Sequence, residues 1–174
     1  MMKQEVKIRR AAVKDANLLA ALGGTTNYET YFETDEPEDL AKYIADFFNP
    51  QAMKIELEDA NNTFFIAEVN DKAVGFAELR TGQPAEYVKG ENTIELQRIY
   101  VLEKMIRHGI GKILLRKCLG EAKAKGFDSL WLAVFELNER AIEFYQRQGF
   151  EQLGKAEFHF GEQCFTCFVM KIGL

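Results

Sequence analysis

The sequence predicts an α/β sandwich built around a mixed sheet. Three observations point there. Strand-period and helix-period segments interleave along all 174 residues. Two β-rich runs around Asn70-Asp71-Lys72 have the form of a hairpin. DSLWLAVFE is apolar almost throughout, as a strand covered on both faces must be.

The elements follow in order. VKIRRA (6–11) alternates and is expected to be the first strand. Asp15 precedes an Ala/Leu-rich helix expected to stop near Gly23 and Gly24. A second helix spans roughly Pro37 to Phe48, with Ala41, Ile44, Ala45 and Phe48 expected on its inward face. A third, short one covers about 52–60. TFFIAEVN and AVGFAELR form the hairpin. A loop with Gly82, Pro84 and Gly90 leads to the strand NTIELQRIYV. In HGIGKILLRKCLGEAKAKG, Ile113, Leu114, Cys118 and Ala122 make an apolar stripe that Gly126 ends. After DSLWLAVFE comes the helix NERAIEFYQRQG, with Asn138 as N-cap and Gly149 as its stop. FEQLGKAEF and QCFTCFVMKI close the chain as strands.

Composition narrows the function. The chain is 47% hydrophobic and 28% charged, values of an ordinary globular protein, and its length suits a single domain over 1–174. A chain this long buries roughly 70% of its unfolded surface and needs no disulfide or metal staple. MMKQEVKIRR has no apolar h-region or cleavage site, so no secretory signal is expected. No apolar run approaches the ~20 residues of a membrane span, so no membrane partner is expected and the location is taken as cytoplasmic. The net charge of −5 argues against nucleic acid. From Glu29 to Asp59 ten acids face two bases, net −8. That segment is either a solvated helical surface or a negative wall that attracts a cation.

Cys164 and Cys167 form a C-x-x-C, but three residues apart on a strand they point to opposite faces. A redox role is not expected, and two histidines, His108 and His159, are too few and scattered for zinc. No metal is therefore expected.

The chemistry centres on a strand, a turn and a helix. IELQRIYV leads through Arg107-His108-Gly109-Ile110-Gly111-Lys112 into an apolar helix. A helix start offers unpaired N–H groups and a positive dipole end, and glycines let a phosphate approach them. Arg107 and Lys112 add charge. A Walker A loop is excluded by Ile106 and Ile113, and a dinucleotide fingerprint by Leu114. The residues alone leave two readings: a phosphate cradle, or glycines that permit a tight turn.

Here the sequence resembles the Gcn5-related N-acetyltransferases. Gly109-Ile110-Gly111 resembles their motif A, although its first position, usually Gln or Arg, is Ile106. Asn138, Ala141, Phe144, Tyr145, Gly149 and Phe150 match their motif B, Asn-x-x-Ala-x-x-Phe-Tyr-x-x-x-Gly-Phe. TFFIAEVNDKAVGFAEL, IELQRIYV, HGIGKILL and WLAVFELNERAIEFYQRQGF further resemble the PaiA-type spermidine/spermine N-acetyltransferases.

The resemblance implies a mostly antiparallel central sheet flanked by helices on both faces. It also implies acetyl-CoA as co-substrate and direct attack by a primary amine, such as a polyamine, in a ternary complex. Acetylation of a protein N-terminus or lysine, or plain acyl-CoA binding, are the alternatives. A homodimer is a further possibility. By resemblance, Arg107, His108, Gly109, Ile110, Gly111 and Lys112 hold the pyrophosphate. Ile99, Tyr100 and Val101 present backbone to the pantetheine, with the Val101 N–H as oxyanion donor. Asn138 meets the pantetheine or simply caps its helix. Tyr145 is the acid, or a core aromatic like Phe144. Glu95 is a water-assisted base, or a surface or substrate-binding carboxylate. Glu33, Asp35 and Glu36 are the acceptor-binding candidates.

Overall fold

The computed structural model describes residues 5–82, 84–160 and 163–174. The first four residues, including the start of MMKQEVKIRR, lie outside them. Seven strands are hydrogen-bonded in the order β1-β2-β3-β4-β5-β7-β6. They are β1 (Val6–Arg10), β2 (Asn62–Val69), β3 (Lys72–Arg80), β4 (Thr93–Val101), β5 (Ser129–Phe135), β6 (Glu151–Phe160) and β7 (Gln163–Gly173). Five helices accompany them: α1 (Ala16–Tyr31), α2 (Pro37–Phe47), α3 (Pro50–Glu58), α4 (Ile110–Ala124) and α5 (Glu139–Arg147). The β4–β5 pair is parallel; β1–β2, β5–β7 and β6–β7 are antiparallel. This is the mixed, mostly antiparallel α/β fold expected. The residues group into two compact units, Met1–Leu79 with Arg98–Cys118, and Arg80–Gln97 with Leu119–Leu174.

In the first unit, β2 and β3 join through Asn70 (φ 51°) and Asp71 (φ 59°), the left-handed pair that a two-residue hairpin demands. One side of β2 and β3, with Phe64, Ile66 and Phe76, packs on Leu19, Ala20 and Leu22 of α1 and Met53 of α3. Phe65 points the other way, and the Lys117 ammonium of α4 lies 5.2 Å from its ring centroid. Helices therefore cover both faces here.

Two expectations fail in this unit. α1 does not stop at Gly23 and Gly24 but runs through both to Tyr31. A Cβ on Gly23 would stand 2.1 Å from the Phe48 ring, and one on Gly24 3.1 Å from Ile44 Cγ2. The glycines thus admit close packing by Ile44 and Phe48 rather than ending the helix. On α2, Ala41 and Ala45 are exposed; Leu40, Tyr43, Ile44 and Phe47 turn inward. The i, i+3, i+4, i+7 stripe begins one residue earlier, because that frame buries the larger side chains.

Asp15 precedes α1 as expected, but its side chain makes no helix cap. Its two oxygens accept from Arg9 Nη1 and Nη2, both at 2.9 Å, and Oδ2 also from the Ala12 N–H. The Arg9 guanidinium holds this buried carboxyl below the usual range.

In the second unit, β5 is buried along most of its length, as its apolar sequence requires. Val88, Trp131 and Val169 form a core here with Leu153 and Ala156 against it. Gly149 (φ 94°) ends α5 and turns the chain into β6. Cys164 is exposed and Cys167 buried, so the C-x-x-C thiols diverge as expected.

Candidate active site

β4 carries the first candidates. Its alternation puts Arg98 and Tyr100 on the helix-covered side: the Tyr100 ring stands 5.9 Å from that of Phe76. Ile99, Tyr100 and Val101 are each half-buried. With Tyr100 committed to packing, this stretch can offer a ligand its backbone. Gly75 on β3 matters here. A Cβ there would sit 2.7 Å from the Tyr100 carbonyl oxygen, so only glycine allows so close an approach.

A turn then reverses the chain. Met105 and Ile106 donate to the carbonyls of Leu102 and Glu103, and the Glu103 N–H donates to Glu29 Oε2 at 2.9 Å. Arg107 (φ 75°) and Gly109 (φ 77°) are both left-handed. That conformation is costly for arginine and free for glycine. The first regular helical bond of α4 runs from the Ile113 N–H to the Gly109 carbonyl. The amides from Gly109 to Lys112 thus precede the ladder, where helix starts leave donors unpaired.

Arg107, His108, Gly109 and Lys112 are exposed, Gly111 is half-buried, and Ile110 is buried as the anchor of the turn. Nothing lies within 4 Å of a Cβ built on Gly109. No acid occupies the first turn of the 15-residue helix. Open space, oriented amides and cationic side chains that no acid among the described residues pairs with fit a diphosphate.

The second unit holds Glu95, Asn138 and Tyr145. Glu95 is buried, at 6% exposure, and pairs with Trp131 at the last rung of the parallel β4–β5 ladder. Its Oε2 accepts from Arg80 Nε and Nη2, both at 3.0 Å. Arg80 escapes sequence reasoning, because the pairing depends on the register of two strands. Asn138 caps α5, its Oδ1 accepting from the Ala141 N–H at 3.2 Å. Tyr145 lies two turns further along α5 and is buried at 8% exposure. Phe144 and Phe150 meet its ring edge-on at 5.3 and 5.5 Å. A phenol set this firmly has little rotamer freedom.

The acidic segment divides in two. Glu29 caps the turn at Glu103, Asp46 and Glu58 pair with Lys42 and Lys54 on their own helices, and Glu56 binds Arg98. Glu33, Glu36, Glu38 and Asp39 are exposed, and no ion pair among the described residues engages them. Asp35 is half-buried, and burial lifts its carboxyl above the usual range. Beside this stretch Tyr28 and Phe32 are exposed and stacked, centroids 6.3 Å apart. Tyr43 is instead packed on Phe47 and Phe48, 4.8 and 6.2 Å away.

These motifs and this fold define an acyl-transfer protein, and comparison with known proteins agrees. The model of the acetyltransferase (GNAT) family matches residues 25–150, and the chain belongs to that family. It is an acetyl-CoA-dependent N-acetyltransferase. It is similar to an uncharacterized N-acetyltransferase of Lactobacillus delbrueckii subsp. lactis, 27% identical over 97% of this chain and 98% of that one. The streptothricin acetyltransferase of Streptomyces lavendulae is 29% identical over 85% of this chain and 82% of that one. The fold matches the crystal structure of the PaiA N-acetyltransferase from Thermoplasma acidophilum in complex with coenzyme A. That match has a TM-score of 0.80 and 22% identity, over 98% of this chain and 99% of that one. No helix among the described residues is long and apolar enough to cross a membrane.

Proposed function

We propose that residues 1–174 act as one domain that acetylates a primary amine of a small polycation, a polyamine such as spermidine. The observation that carries this is the set of unpaired carboxylates between α1 and α2, Glu33 and Glu36 with half-buried Asp35, beside the exposed rings of Tyr28 and Phe32. Glu38 and Asp39 are partly explained without a ligand, since acids favour the first turn of α2. Glu36, the N-cap residue of α2, shares part of that account, and Asp35 accepts from the Thr34 hydroxyl at 3.1 Å; Glu33 has neither. Carboxylates serve ammonium groups, and the rings serve methylenes and cations.

Acetyl-CoA supplies the acetyl group as a thioester. The turn from Arg107 to Lys112 holds its diphosphate end through the amides of Gly109 to Lys112, the His108 N–H being donated to the Met105 carbonyl at 3.4 Å, and backbone of Ile99 to Val101 orients the pantetheine. The Val101 N–H donates to the carbonyl oxygen as charge gathers there. Asn138 spends Oδ1 on its helix, which leaves Nδ2 as a donor toward the pantetheine. The Tyr145 hydroxyl gives its proton to the departing sulfur. The acceptor ammonium, with an ordinary pKa near 10, must first lose a proton. Glu95, fixed by Arg80, takes it through water. The freed amine nitrogen then bonds to the thioester carbon as the carbon–sulfur bond breaks, and the second proton shed by that nitrogen returns through water to Tyr145.

The acceptor assignment is tested by Glu33→Gln, Asp35→Asn and Glu36→Gln combined. Exposed pairs are worth about 0.2–1 kcal/mol each, so KM for spermidine should rise roughly 3- to 100-fold. KM for acetyl-CoA should stay within about twofold, and raising salt should raise the wild-type spermidine KM, because exposed charge pairs are screened. Acetylation of a peptide N-terminus or lysine but of no polyamine would hand the assignment to a protein substrate.

The diphosphate assignment is tested by Gly109→Val. Space is open there, but a β-branched residue resists φ 77°, at a cost of about 1–2 kcal/mol or more. Calorimetry should show acetyl-CoA binding weakened at least about tenfold. Unchanged affinity would remove the cradle from this turn.

A further inference from the structure

The β6–β7 hairpin gathers three side chains that the acetyl transfer does not use. His159 and Cys164 are direct cross-strand partners, and Glu157 lies two residues before His159. Opposite residues share a face, and so do residues two apart on one strand. Glu157, His159 and Cys164 therefore stand on the same side of the hairpin, and all three are exposed. A carboxylate oxygen, a ring nitrogen and the thiol sulfur all lie within 4.8 Å of one another.

We propose that Glu157, His159 and Cys164 bind a zinc-class divalent transition metal ion. Zinc takes bonds of about 2.3 Å to sulfur and 2.0–2.2 Å to nitrogen and oxygen, which puts tetrahedral donors roughly 3.3–3.6 Å apart. Side-chain rotation on a fixed backbone covers the remaining distance. Thiolate with imidazole selects zinc-like ions over magnesium or calcium. One thiolate and one carboxylate neutralise the divalent charge. Cys164 binds as thiolate, its proton passing to the buffer. The fourth position is left to water.

The placement gives the ion something to do. The β5–β7 ladder ends at Phe135–Cys167, so Cys164 and its partner stand three residues beyond the last rung. A two-stranded ribbon alone is marginal in water. A metal bridging His159 and Cys164 ties the strands together there. Cys167 serves as internal control: it lies on the other face, opposite Ala156, and burial pushes its thiol up to about 11.

The test uses the full-length chain without a histidine tag, titrated with Zn2+ in a calorimeter and with Co2+ in an absorption cell. Wild type should bind one ion with Kd of about 1 µM or tighter. Co2+ should give a near-ultraviolet thiolate-to-cobalt charge-transfer band. Cys164→Ser should abolish the band, and Cys167→Ser should keep it. Changes outside the ligand shell already cost 10–100-fold, so His159→Gln and Glu157→Gln should each weaken Zn2+ at least about tenfold. All three positions are exposed, so melting of the metal-free variants should match wild type. A wild-type protein without the band, a band that survives Cys164→Ser, or unchanged zinc affinity in His159→Gln would each overturn the site.

Discussion

Tyr145→Phe is expected to lower kcat by about 10²–10⁴-fold, the usual worth of a general acid, while acetyl-CoA affinity stays within about threefold. The two effects separate because the acid proposed for Tyr145 would act as charge develops on sulfur, not when the thioester binds. A departing thiolate is helped by a proton, and a phenol hydroxyl carries one to give. The replacement keeps the ring that Phe144 and Phe150 hold edge-on, so the variant should fold and melt like wild type. Single-turnover acetylation, where chemistry limits, gives the decisive number. A rate within about threefold of wild type would take Tyr145 out of the reaction and leave water as the proton donor.

What could be read from the sequence is what is local in the chain. Asn70-Asp71-Lys72 announced its hairpin, although the loop proper is the left-handed pair Asn70-Asp71 and Lys72 already opens β3. Asn138 announced a helix start, and its side chain makes that cap. Gly126 and Gly149, both with positive φ, ended their helices as expected. Gly23 and Gly24 misled for a physical reason: the same absence of a Cβ serves a stop or a close contact, and only Phe48 and Ile44 decide which. What stayed hidden depends on register. Arg80 and Glu95 lie 15 residues apart and meet across strands. His108 and His159 looked too few and scattered for zinc, and a count of histidines does not see the hairpin that sets Cys164 opposite His159. The acidic segment was likewise summed as one block of net −8, although Glu29 and Glu56 are committed to the turn at Glu103 and to Arg98.

Arg98→Met is expected to destabilise the protein by about 3–5 kcal/mol, the cost of removing one partner from a buried ion cluster. Arg98 is 8% exposed and Glu78 is 1% exposed. Arg98 Nη1 donates to Glu78 Oε2 at 2.8 Å and to Glu56 Oε2, while Nη2 donates to Glu56 Oε1 at 3.2 Å. The guanidinium also lies over Phe48, 5.0 Å from the ring centroid. Two carboxylates on α3 and β3 thus share one cation on β4, and the methionine leaves both without it. Glu56 can turn toward water, with its side chain 24% exposed, but Glu78 cannot. The loss should therefore appear as a fall in Tm of roughly 6–20 °C for a chain of this size. Adding Glu78→Gln to Arg98→Met should restore part of it, because the buried charge is then gone. A double variant no more stable than Arg98→Met would show that the loss comes from packing on Phe48 rather than from the buried charge of Glu78. Because Arg98 immediately precedes Ile99 to Val101, the stretch proposed to orient the pantetheine, the single variant should also weaken acetyl-CoA binding in the fraction that stays folded. Arg98→Lys should recover that binding only in part, since one ammonium cannot match the fork shared by Glu56 and Glu78.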